Sequence, residues 1–494
     1  MTGVILAIDS GTTAVKATIW SNSLKLIGSA SEKISMSYGN QGMAEQDPEE
    51  IWNKQRKVIR DVMLKTGTEA GNIASVGITN QRETVIAWDK RDGRPIHQAI
   101  SWQDRRNSSL VERFRSDHFS FFKSKTGLIP DTYFSASKIQ WLLNNVPGID
   151  ALIKENRLAV GTVDSWLVWN LSGGSDNVTD PSNASRTMLF NIHSLDWDQE
   201  ILDILGIPYE ILPSVLPSAS HIADTSTEAV GFSSPIFSII GDQQASLLGH
   251  GSMSRGQTKS SYGTGAFILT NTGPNPVYDK NLLTSIAFTD ESGGRNFCLE
   301  GSIFLAGGLM EWLRKSIKID FNDDDITEIT SRVLKNPGLY FVNSLQGLGA
   351  PYWDPNMRGA IVGLNYATSK EDLLVSAIAS IAYRTKDILR AFEASLKIDI
   401  NGLRIDGGLT NNPEFNQFLA DILGIPITVP ANSGSITAKG AAALSLAVFE
   451  QIPISEVGKF LNESGESYSP EIDRPIGDRI YHGWQKTLGR LKDL

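Results

Sequence analysis

Two short segments put small hydroxyl side chains beside glycines, one in each half of the chain: Asp9-Ser10-Gly11-Thr12-Thr13 and Tyr262-Gly263-Thr264-Gly265. Glycine lets the backbone turn tightly, and converging backbone N–H groups with hydroxyls grip phosphate without a Walker loop. Two such loops suggest two related lobes closing on one nucleotide. Asp9 cannot hold phosphate directly, but it can hold Mg²⁺ that does, usually through water. The competing reading of Asp9 is an Asx-turn, an aspartate bonding its own loop. Lys16 either reaches a phosphate or is a solvated edge-strand lysine.

Arg82 and Glu83 follow the apolar run Ile73 to Ile78. Neighbours on a strand face opposite ways, so both meet one ligand only if the strand has already ended, which Asn80-Gln81 permits. A fork of donors beside acceptors suits a compound with neighbouring hydroxyls. The alternative is a local surface ion pair. Trp102 and Phe267 could cover the apolar edge of a polyol, although a lone tryptophan also serves as core. Asp242 follows the apolar strand Ile236 to Ile240, at the carboxyl end where α/β folds place their sites. A carboxylate there could accept the proton of an attacking hydroxyl. It is also expected to cap the next helix.

Other chemistries lack their residues. There is no GxxxxGK[ST], HExxH, CxxC or Gly-x-Ser-x-Gly, and the six histidines have no ligand spacing. The net charge of −10 provides no general basic surface for nucleic acid. No apolar run approaches a membrane span. Met1-Thr2-Gly3 carries no basic region before the first strand, and Cys298 is the single cysteine. A reducing cytoplasm is therefore expected.

These residues need a scaffold. At 494 residues, two or more domains are expected. Val4 to Ile8, Ala14 to Trp20 and Leu26 to Ile34 read as a β-meander. A helix opens at Pro48, capped by Asp47, and stops near Gly67. Ser369 to Glu393 reads as one long helix, with Leu374, Ile378, Ile381, Ile388 and Phe392 on one face. Leu403 to Ile405 is a short strand ending in Asp406-Gly407-Gly408. Asn412-Pro413 starts a helix that Gly424 terminates, and a small-residue helix covers Ser435 to Phe449. The class is α/β, with lobes of residues 1–253 and 254–494.

Longer strings carry a resemblance. They include Ile78-Thr79-Asn80-Gln81-Arg82-Glu83-Thr84, Trp102-Gln103-Asp104-Arg105-Arg106 and Asn183-Ala184-Ser185-Arg186-Thr187-Met188-Leu189-Phe190. Gly241-Asp242-Gln243-Gln244-Ala245 and Gly347-Leu348-Gly349-Ala350-Pro351-Tyr352-Trp353-Asp354 continue the series. With these, the chain resembles the FGGY family of carbohydrate kinases nearly end to end, and within it the members that act on glycerol. The resemblance implies two actin-like, ribonuclease-H-type lobes with a catalytic cleft between them. It implies glycerol held by Arg82, Glu83, Tyr133, Asp242 and Gln243, with Trp102 and Phe267 on its carbons and Asp242 as the base. It implies ATP phosphates near Thr12, Thr13, Ala14, Lys16 and Thr264, and adenosine near Gly307, Glu311, Gly408 and Asn412. Mg²⁺ would sit near Asp9 and Asp242, through water. A cytoplasmic homodimer or homotetramer, without nucleic acid or membrane insertion, completes what is implied. Ser10, Ala14, Lys16, Gln46 and Glu311 depart from the residues usual in the family. Two rivals stand beside this reading: a related kinase for another polyol or ketose, and a non-catalytic nucleotide-binding protein of the actin type.

Overall fold

The computed structural model describes residues 3–319, 321, 326–461 and 464–491; Met1 and Thr2 lie outside them. Val4–Ser10, Ala14–Trp20 and Leu26–Lys33 form the expected antiparallel meander. Ile73–Asn80 adds parallel to the far side of Val4–Ser10, and Pro235–Gly241 adds parallel to that. Ala219–Asp224 closes this six-stranded sheet. The central strands are covered on both faces, which is why they read as apolar runs without alternation.

A seven-stranded sheet repeats the plan. Thr258–Tyr262, Ala266–Gly273 and Arg295–Ile303 run antiparallel. Leu403–Asp406 and Ile427–Pro430 add parallel on the other side of Thr258–Tyr262. Leu283–Thr289 and Gly465–Tyr468 form its edges. The two glycine–hydroxyl loops therefore occupy the same place, each joining the first two strands of its sheet. This is the two-lobed, actin-like α/β architecture.

Local signals set the helix ends. Asp47 accepts a hydrogen bond from the Glu49 backbone N at 2.9 Å, and Gly67 ends the Pro48–Thr66 helix with φ 67°. Ser369 and Asp372 form a reciprocal capping box on Lys370–Leu396. Asn412 caps Pro413–Leu423, and Gly424 closes it.

Two helices join the lobes. Asp242–Gly249 follows directly from the first sheet, while Ile436–Phe449 comes late in the chain yet packs on that same sheet. Ser238 Oγ donates to the Ala441 carbonyl at 2.9 Å. The helix backbones touch: a Cβ on Gly440 would lie 1.9 Å from the Ala245 carbonyl oxygen, and one on Gly249 2.1 Å from that of Ile436. Gly440 and Gly249, one on each helix, are thus a packing requirement. Among the described residues, no helix is long and apolar enough to cross a membrane.

Candidate active site

The carboxyl ends of the parallel strands from both sheets converge on one cleft. A cavity of about 270 Å³ opens there, bordered by Asp9, Thr12 and Thr13 from the first loop and Gly263, Thr264 and Gly265 from the second. Arg82, Glu83, Trp102, Tyr133, Asp242, Gln243 and Phe267 also line it. A larger cavity of about 670 Å³ is bordered by Gly307, Glu311, Gly408 and Asn412, and shares Gly263 and Thr264 with the first. Ala14 and Lys16 border neither. Lys16 lies opposite Asp9 in the sheet, on an interior strand, and its ammonium donates to the Gly434 carbonyl. Lys16 therefore does not lie on an edge strand.

Arg82 and Glu83 are not a surface pair: each is 2 % exposed. Glu83 takes φ 62°, the left-handed region that costs a non-glycine residue strain, and it turns the chain immediately after the strand. Arg82 Nη1 donates to Glu300 Oε2 at 2.7 Å, and its Nε lies 3.3 Å from Asp242 Oδ1. Arg186 Nε donates to Glu83 Oε1 at 2.7 Å, while its Nη2 donates to Glu300 Oε1 at 2.9 Å. Glu300 thus joins two arginines from the other lobe. Burial pushes its carboxyl up, but Arg186 and Arg82 outweigh that and hold it below its ordinary value. Burial raises the Glu83 carboxyl against the same two arginines.

Three rings form the apolar wall. Trp102 meets Tyr133 and Phe267 edge-on, with centroids 5.6 and 5.9 Å away. Trp102 also donates its indole N–H to Thr12 Oγ1 at 2.9 Å. Buried Lys138 holds the Tyr133 segment by donating to the carbonyls of Thr132, Tyr133 and Phe134 at 2.6, 2.7 and 3.0 Å. Burial and the Glu83 charge raise the Tyr133 phenol, which stays neutral and able to donate.

Asp242 opens its helix but does not cap it. Gly241 takes the cap position, and Asp242 Oδ1 accepts instead from the adjacent Gln243 backbone N at 2.7 Å. Its side chain is 26 % exposed, towards the cleft. Burial raises its carboxyl, opposed by Arg82 and Lys259. Asp9 is pushed up to about 6, by burial first, with Asp242 adding and Lys16 opposing. No bond from its own loop reaches the Asp9 carboxylate among the described residues, so no Asx-turn forms. The loop is braced by others: Gln46 Nε2 donates to the Thr12 carbonyl at 2.8 Å, and Gln81 Nε2 to Gln46 Oε1 at 2.8 Å.

Asp9 and Asp242 border the smaller cavity beside the hydroxyls of Thr12 and Thr13. That donor set fits Mg²⁺, a hard cation bound by one or two carboxylates and completed by water and phosphate oxygens.

Sequence reasoning missed Glu300, Lys259 and Asp406. Asp406 Oδ2 accepts from His250 Nε2 at 2.7 Å and from Ser246 and Ser261 hydroxyls at 2.9 and 3.0 Å. One signal was available: Glu300 interrupts the apolar strand Phe297-Cys298-Leu299, and a charge in a buried strand demands a partner.

Residues 4–249 match the N-terminal domain of the FGGY family of carbohydrate kinases, and residues 258–448 match its C-terminal domain. "Glycerol kinase 2" of Saccharolobus solfataricus is 41 % identical over 488 residues, covering 99 % of this chain and 97 % of that protein. A glycerol kinase of Desulforamulus reducens is 42 % identical over 495 residues, covering 99 % and 98 %. The crystal structure of Plasmodium falciparum glycerol kinase with ADP superposes with TM-score 0.90 at 31 % identity, covering 99 % of this chain and 98 % of that one. A xylulose kinase from Lactobacillus acidophilus shares the fold alone, with TM-score 0.85 at 24 % identity over 99 % and 98 % of the two chains.

Proposed function

The chain belongs to the FGGY family of carbohydrate kinases, and on that premise we propose that it transfers the γ-phosphoryl group of ATP to glycerol, giving sn-glycerol 3-phosphate and ADP. Arg82 and Glu83 grip neighbouring hydroxyls, Tyr133 and Gln243 add polar contacts, and Trp102 and Phe267 pack on the carbons. Asp242 accepts the proton of the terminal hydroxyl as that oxygen attacks the γ-phosphorus. A new O–P bond forms, the bond from phosphorus to the β,γ-bridging oxygen breaks, and ADP leaves.

Phosphoryl transfer needs chiefly positioning and neutralisation of charge. Thr12, Thr13 and Thr264 hold the phosphates, and adenosine occupies the larger cavity beside Gly307, Glu311, Gly408 and Asn412. Ala14 and Lys16 act only through the loop they flank. Asp9 and Asp242 would hold Mg²⁺, which when bound neutralises phosphate charge. Lobe closure excludes water, so that ATP is not hydrolysed without transfer. The reading extends to a cytoplasmic homodimer or homotetramer, as the resemblance implies.

The observation that carries this reading is the 3.3 Å contact of Arg82 Nε with Asp242 Oδ1, in a cavity bordered by both phosphate loops. Coupled ADP release over a panel of polyols and sugars tests it. Glycerol is expected to give the highest kcat/KM. Faster turnover of erythritol, xylulose or dihydroxyacetone, or no glycerol-dependent ADP release, overturns it.

A further inference from the structure

Lys259 sits inside the second sheet with 0 % exposure. An ammonium is strongly hydrated, and burying it requires acceptors on every side. Lys259 Nζ donates to Gln243 Oε1 at 2.5 Å and to Ser261 Oγ at 2.9 Å. The negative groups acting on it are Asp406, Asp242 and Glu300. Lys259 does not border the smaller cavity, whereas Gln243, Ser261, Asp242 and Asp406 do.

An ammonium carries three donors and no acceptor, and a glutamine amide has one end of each kind. Of the two ways round for the Gln243 amide, only the one that turns Oε1 to Lys259 makes a bond. The NH₂ end is then left for the cavity. We propose that Lys259 is a positioning residue that locks Gln243 with its amide NH₂ towards the cleft, where it donates to a hydroxyl oxygen of glycerol. Asp242 is thereby flanked from two sides, by Arg82 of the first lobe and by the Lys259–Gln243 pair tied to the second sheet. The inference rests on the glycerol reading above.

A double-mutant cycle with glycerol as the varied substrate tests it. Lys259→Met is expected to raise the glycerol KM about 10-fold, on the scale of losing one hydrogen bond, with the ATP KM moving far less. Gln243→Ala is expected to match it. In the Gln243→Ala background, Lys259→Met should then add less than about 3-fold, since the two act as a unit. Effects that multiply overturn the inference. Should Lys259→Met fail to fold, Gln243→Glu carries the test alone. It keeps Lys259 paired but offers the cleft no donor, so it should lose glycerol affinity as Gln243→Ala does. A wild-type glycerol KM in Gln243→Glu overturns the inference. Wild-type protein without glycerol-dependent ADP release overturns the functional reading and this inference with it, and the wild-type control alone reveals that case.

Discussion

Trp102 donates its indole N–H to the Thr12 hydroxyl across 2.9 Å. The ring that walls the smaller cavity and the first glycine–hydroxyl loop are therefore one hydrogen-bonded unit. Trp102→Phe keeps an aromatic ring in the wall and removes that bond, together with part of the indole's packing. A hydrogen bond of this kind contributes about 1 kcal/mol, or roughly 5-fold. The ATP KM is expected to rise by that factor, measured at saturating glycerol. An unchanged ATP KM would show that Thr12 does not depend on the tie.

Asp242→Asn retains the shape of the side chain and removes its capacity to take a proton. Loss of a general base costs about 10²–10⁴-fold. We expect kcat to collapse over that range while glycerol still binds, seen by calorimetry on the same variant. Near-normal turnover would sink the assignment of Asp242 as the base.

Arg82→Ala removes a guanidinium that contacts Glu300, Asp242 and Tyr133. Breaking a buried pair by deleting one partner costs about 3–5 kcal/mol, because the remaining charge is left in a dry site. Arg186 stays on Glu300 and offsets part of that. The expected outcome is a raised glycerol KM together with a lower urea midpoint. An unchanged glycerol KM would take Arg82 out of the polyol site.

The Asp9 carboxyl lies near 6, and Asp242 is raised beside it. Burial is the largest cause at both, and Asp242 adds to the rise at Asp9. Activity that needs both ionised should fall as pH drops through about 6, higher than ordinary carboxylates would allow. A kcat/KM profile flat down to pH 5 would contradict this.

The same shift makes a stability prediction of opposite sign to a salt-bridged acid. The folded value exceeds the unfolded one, so the folded state binds the proton more readily and loses stability as pH rises from about 4 through about 6. Asp9→Asn, in the presence of a chelator, should raise the melting temperature at pH 8. That gain should vanish below pH 4, where the wild-type carboxyl is protonated in both states. A gain independent of pH would place its origin in packing.

Much of the site was legible because its determinants are local. Asp47, Gly67, Asn412 and Gly424 mark helix ends through their own backbone needs, and the structure uses all four. The glycine–hydroxyl loops follow apolar strands, and both loops border the smaller cavity. Asp242 was read as a cap and lies one residue inside its helix, since Gly241 ends the strand and takes the cap position itself.

The sequence by itself determined the α/β class, the family and the two glycine–hydroxyl loops, because turn chemistry, caps and apolar runs depend on neighbours along the chain. Only the tertiary structure decided which charges face each other. Arg82 finds Glu300 218 residues further along the chain, and Lys259 turns the Gln243 amide from a strand of the second sheet. A buried charge announces that it needs a partner. Which partner it meets depends on how the two sheets bring their strand ends into one cleft.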